Sequence, residues 1–295
     1  MAAQLLLGKP LAEKIKAEVS QEVVDLKAKG VSPSLVAVQV GQNDASRVYT
    51  NAQRKVAEAT GIKYELQELS ADLTQDQLLE HIAGLNNDPN VTGIILQMPL
   101  PPQIDPKVVQ WSIAYEKDVE GITPTNMGLV TFGKPRLVPC TALGAFELAK
   151  STGVDIYGKE VVVVGHSDIV GKPAALLFLN AFGTVTISHI ATGQRGLSEY
   201  HVRRAEILVV AVGVPHLIKG DWIKEGAIVI DIGINATKDG KIIGDVETEV
   251  AAEKAAWITP VPGGAGTATT AILMKNTIEA AKWQLEKKGS GIITG

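Results

Sequence analysis

Apolar and polar positions along the chain form two series of alternating strand-like and helix-like stretches. In the first, Leu11, Ile15, Val19, Val23 and Leu26 recur every three or four residues, which predicts an amphipathic helix over 10–29 ended by Gly30. Residues 35–40 read as a buried strand, 48–60 as a helix and 62–69 as a strand. Thr74-x-x-Gln77 has the form of a capping box for a helix to about Leu85. A strand over 91–98 is stopped by Pro99-Leu100-Pro101-Pro102. A helix near 106–113, a charged loop over 116–126 and a helix to Ser151, which Thr141 is placed to cap, lead onward. The second series predicts strands at 160–165, 184–188, 207–211, 227–231 and 256–259. Its helices fall at 171–182, 197–204, around Trp222 and at 267–287. A β-α-β order of this kind predicts α/β architecture, parallel sheets and right-handed crossovers, with ligands outside the C-terminal ends of the strands.

The most informative stretch is Glu160-Val-Val-Val-Val-Gly165-His-Ser-Asp-Ile-Val-Gly171-Lys-Pro173. Four consecutive valines suit a strand covered on both faces. A glycine at the strand end permits a sharp turn, and the helix after it offers free N–H groups and a positive dipole end to a phosphate. The spacing is G-x5-G instead of G-x-G-x-x-G, so a dinucleotide turn and an ordinary buried βα turn both fit it.

Composition narrows the class. At 295 residues, 45% hydrophobic and 20% charged, the chain has the length for two domains. No apolar run reaches membrane-spanning length, and Met1-Ala-Ala-Gln-Leu-Leu-Leu lacks the charged start and long apolar centre of a signal peptide. A net charge of −4 gives no electrostatic reason to expect nucleic acid. Cys140 is the sole cysteine and the five histidines are scattered, so no metal site is expected. The expectation is a cytoplasmic, metal-free α/β enzyme.

Eight strings on the predicted ligand side, in order, carry a family resemblance. They are Gly41-Gln-Asn-Asp followed by Tyr49, Gln97-Met-Pro-Leu-Pro, Glu116-Lys-Asp-Val-Glu-Gly121, Val138-Pro-Cys-Thr141, the 164–173 turn, Gly226-Ala-Ile-Val-Ile-Asp-Ile-Gly-Ile-Asn235, Gly244-Asp-Val246 and Ile258-Thr-Pro-Val-Pro-Gly-Gly264. Together they resemble the methylenetetrahydrofolate dehydrogenase/cyclohydrolase family over roughly residues 4–288. The resemblance implies two α/β domains flanking a cleft and a homodimer. The folate domain would take residues 1–143 plus 270–295, and a Rossmann-like NADP- or NAD-binding domain residues 144–269. It implies hydride transfer from 5,10-methylenetetrahydrofolate to the nicotinamide, then hydrolysis of the methenyl product to 10-formyltetrahydrofolate.

Residue by residue, the resemblance implies that Tyr49 borders the folate and that Gln97 bonds substrate and the catalytic group. It places Asp118 and Glu120 in the pterin-binding loop, with Glu120 where the family has aspartate, and Pro262, Gly263 and Gly264 over folate and nicotinamide. Gly165, His166, Ser167, Ile169, Gly171, His189, Gly213 and Ile234 would line the dinucleotide. Three departures stand out. The family's lysine four residues after Tyr49 is Gln53 here, and Lys55 lies roughly 120° around the helix from Tyr49. His166 and Ile190 replace an arginine and a serine that in many relatives hold the 2′-phosphate of NADP, and no acid at the end of 185–189 marks a bare ribose. The choice between NADP and NAD therefore stays open. Ala265-Gly-Thr-Ala-Thr269 replaces Val-Gly-Pro-Met-Thr, leaving Thr267 to cap the last helix.

Hydride transfer needs alignment, whereas opening the methenyl ring needs a group that exchanges protons, and a glutamine amide does not titrate. The sequence thus favours a dehydrogenase with weak or absent cyclohydrolase activity. A fully bifunctional enzyme, a non-catalytic folate- or nucleotide-binding paralogue and a dehydrogenase for another small substrate are the competing readings.

Overall fold

The computed structural model describes residues 3–42, 44–237 and 239–289, so Asn43 of the expected strand-end turn lies outside the described residues. The chain divides into two compact units, Lys14–Cys140 with Thr270–Gly295, and Met1–Glu13 with Thr141–Thr269. The N-terminal boundary therefore differs from the expected one. Residues 3–13 and 141–143 group with the second unit, because strand β1 (Gln4–Leu5) pairs in parallel with a strand near the other end of the chain. Two residues are too few to show a period.

In chain order, β1 leads to α1 (Gly8–Ala28), β2 (Ser34–Val40), α2 (Asp44–Thr60), β3 (Lys63–Leu69), α3 (Gln75–Asn87), β4 (Gly93–Leu96) and α4 (Pro106–Ser112). The Thr74 capping box forms as the sequence predicts, its hydroxyl accepting the Gln77 N–H while the Gln77 side chain accepts the Thr74 N–H. The part read as a loop over 116–126 runs into a further helix, α5 (Pro124–Thr131), whose apolar spacing is too short to register as periodic. The first sheet has the order β3-β2-β4, all parallel. Strand order reverses beside β2, which puts the ends of β2 and β4 side by side as a switch point. Val36, Val38, Ile94 and Leu96 pack beneath α3 and α4 against Leu78, Ile82 and Val109.

Helix α6 (Cys140–Ser151) begins one residue before Thr141, so Thr141 lies inside the helix and does not cap it. The second unit continues through β5 (Glu160–Val164), α7 (Gly171–Asn180), β6 (Thr184–Ser188), α8 (Ile190–Gln194), α9 (Ser198–Val202), β7 (Ile207–Val210) and β8 (Ile228–Asp231). It ends with the hairpin β9 (Asn235–Ala236) and β10 (Ile242–Ile243), then α10 (Thr248–Ala251), β11 (Trp257–Ile258) and α11 (Ala265–Gly289). Thr267 falls in the first turn of α11, so the expected cap there does not form either.

The sheet β1-β11-β8-β7-β5-β6 is parallel throughout. The valine run explains itself in this setting. Val161 and Val163 join Ile207, Val209, Ile230, Leu148 and Phe178 on one face, while Val162 and Val164 join Leu208, Val210, Val229, Ile218 and Val202 on the other. With both faces covered, the two-residue period of a strand leaves no polar position.

Candidate active site

In the first unit, the β2/β4 switch point assembles a polar network in otherwise apolar surroundings. Gln97 follows β4 directly, and its backbone N–H donates to the Val38 carbonyl at 2.8 Å. Its side chain, 6% exposed, donates through Nε2 to Oε1 of Gln53 at 3.0 Å. Gln53 lies on α2 and is 8% exposed; the same Oε1 accepts the hydroxyl of Tyr64 from β3 at 3.1 Å. Burial pushes the Tyr64 phenol up to about 12, against the opposing pull of the Arg54 guanidinium, so at neutral pH it remains a donor. Tyr49, one helical turn before Gln53, is 62% exposed, and Lys55 is exposed, as its helix angle requires. The structure thus joins Gln53 to Gln97 and adds Tyr64, a residue sequence reasoning missed although it is an aromatic on a strand beside β2.

Asp118 and Glu120 separate in role. Asp118 is 1% exposed and its Oδ2 accepts the Thr123 N–H at 2.7 Å and the Asn126 amide at 2.8 Å. The expected ligand contact for Asp118 does not hold: its carboxylate is turned inward and organises the loop that leads into α5. Glu120 is half-buried beside it and accepts the Leu96 N–H. Burial, reinforced by the Asp118 charge, raises the Glu120 carboxyl to about 8. Beside them Asn276 donates to the Cys140 sulfur at 3.5 Å and to the Val119 and Val138 carbonyls at 2.8 Å. Its thiol is raised by burial and then by the Glu120 and Asp118 carboxylates.

In the second unit, strand order reverses between β5 and β7. Gly165, at φ +122°, closes the turn after β5, and a Cβ there would collide with the Ala211 carbonyl oxygen. A Cβ on Gly171, at the start of α7, would strike the Gly165 carbonyl. Between them Ser167 Oγ accepts the N–H groups of Val170 and Gly171 at 3.2 and 3.3 Å, and His166, Ser167 and Ile169 face solvent. His189, exposed at the end of β6, has its ring centroid 5.1 Å from that of His166. Gly213 and Ile234 are exposed at the ends of β7 and β8. Two buried carboxylates that sequence reasoning quoted without a role hold these ends. Asp245 accepts the N–H groups of Val212 and Gly213 at 2.7 and 2.9 Å, and the Asn235 amide at 2.9 Å. Asp231 accepts from Gly233, Asp245 and Val246, and burial raises it to about 6. Pro262 and Gly263 are exposed in the turn before α11, while Gly264 is buried and the Gly263 carbonyl accepts the Gly8 N–H at 2.9 Å. A close-packed glycine turn at a switch point, leading into the ten-residue helix α7, fits a dinucleotide pyrophosphate.

Comparison with known proteins agrees with both halves. Residues 6–120 match the family described as tetrahydrofolate dehydrogenase/cyclohydrolase, catalytic domain, and residues 139–285 match its NAD(P)-binding domain. The bifunctional protein FolD of Moorella thermoacetica is 49% identical over 282 residues, covering 96% of this chain and 100% of that one. The chain belongs to the tetrahydrofolate dehydrogenase/cyclohydrolase family. Among solved structures, the bifunctional FolD dehydrogenase/cyclohydrolase of Campylobacter jejuni is similar at 42% identity and TM-score 0.92, covering 96% of this chain and 100% of that one. The FolD of Trypanosoma brucei, solved with NADP cofactor and inhibitor, is similar at 38% identity and TM-score 0.90, covering 97% and 99%. In this family member Gln53 Oε1 accepts both the Tyr64 hydroxyl and the Gln97 amide at the catalytic-domain switch point. Among its described residues no group of three or more His, Cys, Asp or Glu is placed to hold a metal ion, and no helix is long and apolar enough to cross a membrane.

Proposed function

We propose that the protein oxidises 5,10-methylenetetrahydrofolate to 5,10-methenyltetrahydrofolate with NADP or NAD, and hydrolyses the methenyl product weakly or not at all. The observation that carries this reading is the pair of hydrogen bonds fixing Gln53 Oε1 between Tyr64 and Gln97. Hydride departs from the bridging carbon because a neighbouring nitrogen lone pair stabilises the cation left behind, so side chains need only bind and align. Tyr49 would border the pterin, and Gln97, oriented by Gln53, would present its carbonyl to the ligand. The 165–171 turn with His189, Gly213 and Ile234 would hold the dinucleotide, and Pro262–Gly264 would cover its nicotinamide end. When bound, the nicotinamide supplies the hydride acceptor.

Ring opening differs, since a water must lose a proton and a ring nitrogen must gain one. The Gln53 amide does neither, Tyr64 keeps its proton at neutral pH and Lys55 is on an exposed face. In a spectrophotometric assay, reduced nicotinamide is expected to appear with methylenetetrahydrofolate while methenyltetrahydrofolate accumulates and decays at nearly its spontaneous rate. Absence of nicotinamide reduction with both nucleotides in folded protein would favour a non-catalytic binding paralogue. Brisk methenyl hydrolysis would restore the bifunctional reading. One feature favours that second reading: Glu120 accepts the N–H of Leu96, the residue before Gln97, and burial raises its carboxyl to about 8, which would make it the replacement proton-exchanging group.

Under the main reading Glu120 binds the pterin, whose parallel N–H donors match an ionised carboxylate. A carboxyl raised to about 8 is mostly protonated at neutral pH, so binding the pterin requires it to release a proton. The sign follows: folate affinity increases as pH rises toward 8, by up to about tenfold per unit of pH below that value, and levels off above it. Folate KM measured across this range should show that slope, and Glu120→Ala should raise KM for folate, leave KM for the nucleotide and abolish the slope. Equal effects on both KM values would make Glu120 a structural residue. A homodimer, implied by the family resemblance, and a cytoplasmic location, expected from the composition, belong to the same reading.

A further inference from the structure

We propose that Asp245 is a positioning residue for the nicotinamide half of the bound dinucleotide, its buried carboxylate tying the end of β7 to the end of β8. This rests on the reading of the 165–171 turn as the dinucleotide site. In a doubly wound sheet the first and second strands serve the pyrophosphate and the adenosine ribose, and the strands across the switch point serve the other mononucleotide. The first pair here is β5 and β6, so the nicotinamide mononucleotide falls to the ends of β7 and β8. Neither end carries a polar side chain to orient it. Gly213 has no side chain, and Ile234 is aliphatic and 57% exposed. The backbone of both ends must therefore be placed from behind.

Asp245, 0% exposed, does this. Its Oδ2 accepts the Val212 and Gly213 N–H groups beyond β7 at 2.7 and 2.9 Å, and its Oδ1 accepts the Asn235 amide beyond β8 at 2.9 Å. A Cβ on Gly233, the residue before Ile234, would strike the Asp245 carboxylate, so that stretch of backbone rests directly on it. Asp245 is itself fixed on both sides. Its N–H donates to Asp231, the last residue of β8, at 3.1 Å, and its carbonyl accepts the Ile218 N–H at 3.0 Å. On the other flank Ala211, adjacent to Val212, is the residue whose carbonyl crowds Gly165. Contacts thus run unbroken from the Gly165 turn through the β7 end to Asp245, and from Asp245 to Ile234.

Burying a carboxylate costs stability unless a cation or a full set of donors compensates it. The donors to Asp245 and Asp231 are neutral amides, and the two acids lie one hydrogen bond apart. Stability alone gives no reason to bury two like charges side by side, and local rule-breaking of this kind marks functional positions. A carboxylate does have the capacity the place demands. It accepts three donors from two loops at once, more than the two lone pairs of a hydroxyl or an amide oxygen allow.

Asp245→Asn keeps the shape and turns one acceptor into a donor, which must face either the two backbone N–H groups or the Asn235 amide. Calorimetric titration of the whole protein with NADP, NAD and ADP, without folate, reads the consequence. NADP and NAD should bind the variant about tenfold more weakly, whereas ADP, which has no nicotinamide half, should change by less than about twofold. With folate present, kcat for nicotinamide reduction should fall by about tenfold or more while KM for folate holds. Equal weakening of all three nucleotides would make Asp245 a general support of the fold and overturn the proposal, as would unchanged affinity for all three. Wild-type protein that binds none of them would overturn the proposal and the reading of the turn together. Wild-type protein that binds the dinucleotides but reduces neither would overturn the dehydrogenase reading only, and the binding comparison would still decide on Asp245. Should Asp245→Asn misfold, Asn235→Ala, which removes only the donor beyond β8, carries the same test: selective weakening of NADP and NAD supports the proposal, and its absence overturns it.

Discussion

Gln53→Lys is expected to raise methenyltetrahydrofolate hydrolysis by about 10²–10⁴-fold, the usual contribution of a positioned general acid–base group. Gln53 occupies a buried site on α2 whose neighbours, the Tyr64 hydroxyl and the Gln97 amide, both have oxygens that can accept from an ammonium group. In the wild type their hydrogens point at Gln53 Oε1; with lysine the phenol rotates and the Gln97 amide flips, so both donors become acceptors. Burial among neutral groups would lower the lysine pKa toward the range where it exchanges protons at neutral pH. Hydride transfer should change much less, because it needs alignment alone. The measurement is the decay of methenyltetrahydrofolate with and without each protein, beside the rate of nicotinamide reduction. A variant that folds, dehydrogenates and still does not hydrolyse would show that the lysine position is not what limits ring opening here.

Gly165→Ala should weaken the binding of both nucleotides. The residue stands at φ +122°, a conformation L side chains rarely adopt, and its Cβ would overlap the Ala211 carbonyl on the neighbouring strand. Backbone strain of this type costs on the order of 1–3 kcal/mol before the overlap is relieved, and relief requires separating the ends of β5 and β7. Those ends are where the dinucleotide would lie, so Kd for NADP and NAD should both weaken by at least about tenfold. Thermal unfolding should also move down. Folate binding is the internal control, since Tyr49, Gln97 and Glu120 belong to the other compact unit. Normal nucleotide affinity in the alanine variant would mean that the turn does not carry the pyrophosphate.

By itself the sequence determined the long elements and the chemical inventory. The period of α1, the valine run of β5, the Thr74 capping box and the glycine after β5 are local signals, set by how apolar side chains and caps repeat along a few turns or one strand. The family resemblance singled out Gln53, and helix angle then set Lys55 aside. Only the tertiary structure decided what is non-local. It attached residues 4–5 to the second sheet, since a two-residue strand has no period and is defined by its partner Trp257–Ile258. It divided two carboxylates of one short string, turning Asp118 inward onto Thr123 and Asn126 and leaving Glu120 half-buried with a raised pKa. It also brought Tyr64 to Gln53 and His166 to His189, pairs whose members lie 11 and 23 positions apart along the chain on separate elements. Residue type can name such groups. Only the pairing of strands fixes which of them meet, because strand register is set by the packing of whole sheet faces and not by any single stretch.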